Sequence, residues 1–395
     1  MEKKNRILTI DVMRGLTLFL MLFVNDLYVP GVPAWLTHRP ADFDGMGLAD
    51  WVFPGFLFMV GLAVPYAIQS RLKKGESVLR VSVHIISRTI SLLIIGVLML
   101  NIHRLNPELT ITGMHRYLWA ILVFVCIFLI WNQYRNLKSH FEFILKGIGV
   151  LGLVVLVAIF RSGTPDEITW LITGWWGILG LIGWGYLVTA FTYLLAKDNL
   201  VITVFVWLFF IFLNVLSQLG MMGFAEPVHP VFGVILDGNV PSIVLAGLVF
   251  SLILRKFNEG NFLKFITYGA VLGGVALGAG FVLRHWFIVS KIEGTPSWAM
   301  ICTGISMLLF VVLYLVVDIL GKHKWAFIFK SAGQNSLTTY LAPDFFYFGI
   351  WLAGSTLFYK QSGEAIFIIL GSLVWSLLMV GFTALLSWLG IRLKL

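Results

Sequence analysis

The sequence predicts an all-α, polytopic membrane bundle of about twelve transmembrane helices, with both termini cytoplasmic. Three observations lead there. Of the 395 residues 59% are hydrophobic and 12% charged, and the mean hydropathy is +0.93; a soluble chain carries about 25% charged residues. Twelve segments approach the roughly 20 apolar residues that cross a hydrocarbon core. Lys and Arg also divide unevenly between the loops on the two sides of those segments.

In chain order, the first segment is 7–27. It opens like a secretory leader, but its apolar run is long and is broken by Asp11 and Arg14. It ends at Asn25 and Asp26 rather than at a small-residue cleavage site, so it reads as a retained span. Segments 50–69, 82–101, 115–133 and 143–161 follow. Segment 174–195 opens GWWGILGLIGWGY, whose small residues suit close helix packing; with no strand before it, it is not a nucleotide loop. Next come 200–219, a short one at 240–254, then 265–288 and 297–320. Segment 333–355 is the most polar, with Gln334, Asn335, Ser336 and Asp344, and 364–390 closes the series.

With the N-terminus inside, 19 of the 28 Lys and Arg residues fall on the inner side, seven on the outer, and Arg14 and Arg88 within spans. That bias obeys the positive-inside rule and supports an even number of spans. It also explains the net charge of +9 without nucleic acid. No linker or low-complexity tract divides residues 1–395, which read as one transmembrane domain. Cys126 and Cys302 lie far apart in apolar runs, so neither a disulfide framework nor a metal site is indicated.

Charged residues inside spans usually line a cavity or site, because a central charge costs about 3 kcal/mol on insertion scales. Asp11 and Arg14 share a helix face at i and i+3; they form an internal ion pair, or Arg14 faces a cavity and binds an anion. Arg88 either snorkels or joins Arg14, Lys73 and Lys74 around a polyphosphate, for which arginine offers a bidentate fork. The loop after the first span carries His38, a solvated residue or a general base. Asn25 closes the helix end or donates to a developing oxyanion. Asp50 caps the second span or orients His38. Asp42 and Asp44 read as solvated, or as binders of a cationic acceptor. His103, His115, His229 and His285 fall outside with no assignable partner.

These residues also carry a resemblance. TIDVMRGLTLFLMLFVND, then His38, then GLADWVFPGFLFMVG resembles the start of the heparan-α-glucosaminide N-acetyltransferase family, in a D-x-x-R-G, F-V-N, loop-histidine, A-D-x-V-F-P-x-F pattern. Arg88 in SRTISLLIIG matches a family arginine. WWGILGLIGW, PSWAMICTGIS and GQNSLTTYLAPDFFY sit where corresponding spans are found. Relative to the animal lysosomal member, 115–133 and 143–161 look like an inserted pair, and the loop is two residues longer between His38 and Phe43. The resemblance implies a membrane-bound transferase that moves the acetyl group of cytoplasmic acetyl-CoA to an amino sugar across the bilayer. It implies His38 as catalytic, Asn25 as its partner, and Arg14 and Arg88 toward CoA, where the residue reading adds Lys73 and Lys74 from the adjoining loop; no metal is expected. The setting implied is a bacterial inner membrane with the His38 loop in the periplasm, and a homodimer stays open. The rival reading from the same spans and charges is a twelve-span secondary transporter of a small polar or sugar substrate; a membrane scaffold is a third.

Overall fold

The computed structural model describes residues 7–134, 137–257 and 261–395. Lys3, Lys4, Arg6 and Arg135, which the charge bias counts on the inner side, lie outside the described residues. Fourteen α-helices run through the described residues: α1 Leu8–Asp26, α2 Leu48–Lys73, α3 Val78–Asn101, α4 Arg116–Trp131, α5 Ser139–Ile159, α6 Gly177–Ala196, α7 Leu200–Gln218, α8 His229–Leu236, α9 Asn239–Phe257, α10 Phe262–Leu283, α11 Pro296–Tyr314, α12 Phe327–Gln334, α13 Ser336–Leu352 and α14 Ala365–Trp388. A two-residue hairpin, β1 Ser162–Gly163 with β2 Ile168–Thr169, sits between α5 and α6.

Among the described residues ten helical stretches are long and apolar enough to cross a membrane. The expected twelve is not reached on that criterion, for two local reasons. The 115–133 segment becomes a helix of 16 residues between a His115 cap and Asn132, about 24 Å at 1.5 Å per residue. The polar 333–355 segment is a broken helix. Asn335, at φ −123° and ψ 44°, separates α12 from a 17-residue α13. The short 240–254 segment gains residues instead, as α9 runs 19 residues and α8 abuts it. The first and last described residues lie toward one end of the bundle. Ile7 borders a cavity there, and Leu393 N donates to Thr338 Oγ1 beside the start of α13.

The core forms around α2, whose buried face runs from Ala49 to Ile68. It packs along α9, and α1 lies beside both α2 and α12. The α2–α9 crossing is a backbone contact, since a side-chain carbon on Gly61 would strike Val244 O and one on Gly247 would strike Phe58 O. Small residues allow such an approach, and dispersion between backbones then holds the helices where lipid supplies no hydrophobic drive. Gly61→Leu should therefore cost at least about 2 kcal/mol by overpacking. A lowered thermal midpoint in detergent checks this, against a control Gly274→Leu, because Gly274 has open space around it.

Candidate functional site

α2 carries groups of interest at both ends. At its N-terminus Asp50 is the third helical residue, and its Oδ2 accepts from the backbone N–H of Gly47 at 2.9 Å and of Arg39 at 3.1 Å. This is half of a capping box: the helix starts two residues earlier than the sequence suggests, Gly47 is the N-cap, and Asp50 caps it from the third position rather than as the N-cap itself. Its Oδ1 takes a second role, 2.7 Å from His38 Nδ1. Asp50 is 1% exposed, whereas the His38 side chain is 46% exposed. A carboxylate that already accepts backbone bonds calls for a donor at Nδ1. The imidazole is then protonated on Nδ1, and Nε2 keeps its lone pair toward solvent.

A proline helps to build this corner. Pro54 has no N–H to offer the carbonyl four residues back, which is that of Asp50. Trp298 Nε1 from α11 fills the gap, donating to Asp50 O at 3.1 Å. The His38 loop is also clamped to the segment before α11. Asp44 Oδ1 accepts from Val289 N at 2.9 Å, Asp44 pairs with Arg284 at 2.9 Å, and Gly45 N donates to Val289 O at 3.0 Å. Asp44 is thus a structural clamp and not a merely solvated charge. The Val289 amide, with Arg284 assisting, holds its carboxyl below the ordinary value. Its contribution is complete above the unfolded carboxylate pKa and disappears only as pH falls through the lower folded value. Asp44→Asn should make the Gly45 and Val289 amides exchange about tenfold faster at neutral pH, as read by hydrogen–deuterium exchange.

Asn25 is exposed on the last turn of α1, and no hydrogen bond joins it to His38 or Asp50 among the described residues. Its neighbour Asp26 is fully buried, accepts from the hydroxyls of Tyr347 and Tyr359, and pairs with Lys360 at 2.9 Å.

The other end of α2 opens into a cavity of about 1150 Å³. Arg14, Arg88, Lys73 and Lys74 all border it, so four residues from three helices and one turn converge. Arg14 Nη1 reaches Gly333 O at 3.4 Å. The Arg88 guanidinium lies 4.6 Å from the centre of the Tyr186 ring, and its Nε is buried without a hydrogen-bond partner. Arg255 also lines the wall, paired with Asp198 at 2.6 Å and bonded to Tyr193. Neither Arg255 nor Ser336, at the break before α13, was expected there. The cavity is basic and water-accessible, and the Arg88 Nε at its wall is buried and unpaired among the described residues, which is the chemistry of an anion site. Phe56 lines its deep end, six residues from Asp50 and about 9 Å along the helix.

A second histidine–carboxylate pair escaped the sequence reading: His229 Nε2 lies 3.0 Å from Asp237 Oδ1, with both side chains exposed. Neither residue lines the basic cavity. Among the described residues no group of three or more His, Cys, Asp or Glu could hold a metal ion. Cys126 and Cys302 are free and buried.

Against known proteins, the family described as "Domain of unknown function (DUF5009)" matches residues 6–220, more than half of the chain. The heparan-alpha-glucosaminide N-acetyltransferase of Mus musculus is 37% identical over 97 residues, which is 25% of this chain and 14% of that protein. The Homo sapiens protein of the same name is 35% identical over 96 residues, 24% of this chain and 14% of its own length. The similarity thus spans about a seventh of either relative and supports a distant relationship.

Proposed function

The chain belongs to the DUF5009 family, and from that premise we propose that it is a transmembrane acetyltransferase, taking the acetyl group of cytoplasmic acetyl-CoA to an amino sugar of the glucosamine type on the periplasmic side. One observation carries the reading. A single helix, α2, has the His38–Asp50 pair at its first turn and Lys73 at its last, and the basic cavity that Lys73 borders reaches along it as far as Phe56, about 9 Å from Asp50 along the axis. The acetyltransferase relatives add support from their partial similarity.

In this reading Arg14, Arg88, Lys73 and Lys74 hold the phosphates of CoA, and the pantetheine arm runs past Phe56 toward Asp50. His38 Nε2 removes a proton from the attacking amine, or carries the acetyl group transiently. The new C–N bond forms as the thioester C–S bond breaks, and the proton held by His38 goes to the departing thiolate. Asp50 fixes the tautomer and orientation of His38. Asn25 polarises the thioester carbonyl only if the acyl group itself bridges the two residues.

The test uses protein purified in detergent with radiolabelled acetyl-CoA and glucosamine. Label should enter the sugar with wild type and fall by at least about 10³-fold with His38→Ala. Full transfer by a folded His38→Ala protein would overturn the assignment. The transporter reading draws on a different observation, the helix break at Asn335 beside the cavity, since broken helices build transporter sites. Uptake of sugar into sealed vesicles without any acyl donor would favour it.

A further inference from the structure

A third group stands against His38. Lys291 Nζ is 3.2 Å from its Nδ1 and 3.4 Å from its Nε2. A cation nearly equidistant from both ring nitrogens lies over the imidazole face, because in the ring plane it would collide with Cε1. The in-plane position at Nδ1 belongs to Asp50, and the one at Nε2 stays open. Lys291 is also held in place by its loop. Ser290 N donates to Thr295 Oγ1, Ser297 Oγ to Ile288 O, and Asn214 Nδ2 to Gly294 O. The preceding Val289 is stitched to Asp44 and Gly45. Burial holds the Lys291 ammonium below the ordinary lysine value, while the Asp50 charge pulls the other way. A half-buried, poorly hydrated ammonium is a stronger partner for a new anion than one in water.

We propose that Lys291 is a catalytic residue of the acetyl transfer, donating to the oxyanion that forms on the acetyl carbonyl. This inference rests on the acetyltransferase reading. An acetyl group on Nε2, or on an amine bonded to it, places its carbonyl oxygen a few ångströms from that nitrogen and within the sweep of the Lys291 stem. Asn25 has no bond to His38, whereas Lys291 has its donor already beside the ring. In the resting site Asp50 and Lys291 balance in charge. When the carbonyl becomes an alkoxide, the ammonium is the cation positioned to meet it.

Lys291→Met keeps the stem and removes the donor. It should lower kcat about 10²–10³-fold and leave KM for acetyl-CoA within about twofold. Lys291→Cys should be equally slow, and alkylation with 2-bromoethylamine, which rebuilds an ammonium at that length, should restore most of kcat. Alkylation with bromoacetamide should not, and wild type, with Cys126 and Cys302 buried, should be indifferent to both. A merely structural lysine would not be rescued in this way. Unchanged kcat in Lys291→Met, or an equal response of Lys291→Cys to both reagents, overturns the proposal while the transferase reading stands. Absence of transfer by wild type removes the reading and the inference with it.

Discussion

Asp50→Asn should slow acetyl transfer about 10³-fold or more while leaving CoA affinity within about twofold. The substitution keeps size and shape. The buried carboxylate accepts from His38 Nδ1 and from the N–H groups of Gly47 and Arg39. An amide has one acceptor oxygen. If that oxygen stays with the two backbone donors, the NH2 group faces Nδ1 and forces the proton to Nε2, where the base must be free. Wrong-tautomer losses in histidine–carboxylate pairs are of order 10⁴. If the amide flips, the backbone donors lose their acceptor at about 1–3 kcal/mol, and the thermal midpoint falls. Rate, CoA affinity by calorimetry and thermal midpoint on one preparation separate the two. A rate within threefold of wild type would leave Asp50 as a helix cap and nothing more.

The second large effect is expected at the far end. Arg88→Met should weaken CoA binding by about 10–100-fold, the worth of a charge-assisted phosphate contact. KM for acetyl-CoA should rise in step and kcat change little. Arg88 is the sharpest choice in the cavity because its buried Nε has no hydrogen-bond partner among the described residues. Two comparisons make the result specific. S-acetyl-pantetheine has no nucleotide, so wild type and variant should use it alike. Arg71→Met removes a nearby cation that is paired with Glu76 at 2.9 Å, and should leave CoA affinity unchanged. Equal loss with S-acetyl-pantetheine would mean that Arg88 shapes the cavity rather than holding phosphate.

The contrast between these residues and Lys291 says what was legible in the sequence. His38 and Asp50 were readable because they are 12 residues apart, joined by one short loop and the first turn of one helix. Arg14, Arg88, Lys73 and Lys74 were grouped because span order alone puts them at one level. Lys291, 253 residues from His38, could be found only by folding the chain. So could the partner of Asp44, since Arg284 is 240 residues away. Asn25, like His38, was read first from its place in the sequence and then from the resemblance, and the fold leaves it exposed on α1. The sequence count of twelve exceeds the ten helices that meet the length criterion among the described residues because α4 is short and because hydropathy averages over a break. Gln334, Asn335 and Ser336 lie within one apolar stretch, yet the backbone leaves the helix at Asn335. The burial of Asp26 under two tyrosines and Lys360 likewise draws on segments more than 300 residues downstream.

The spacing along α2 has a consequence for the barrier itself. Along α2, six residues separate Phe56, at the cavity, from Asp50, beside the His38 loop. On the proposed reading a two-carbon fragment is all that makes the crossing, handed from one waiting group to the next as in a relay. The bulky donor never leaves the side on which it docked, and the sugar never enters. The bundle has no need to open first one way and then the other. The cell would modify a molecule outside its boundary while keeping its coenzyme, and the seal of that boundary would hold throughout the turnover.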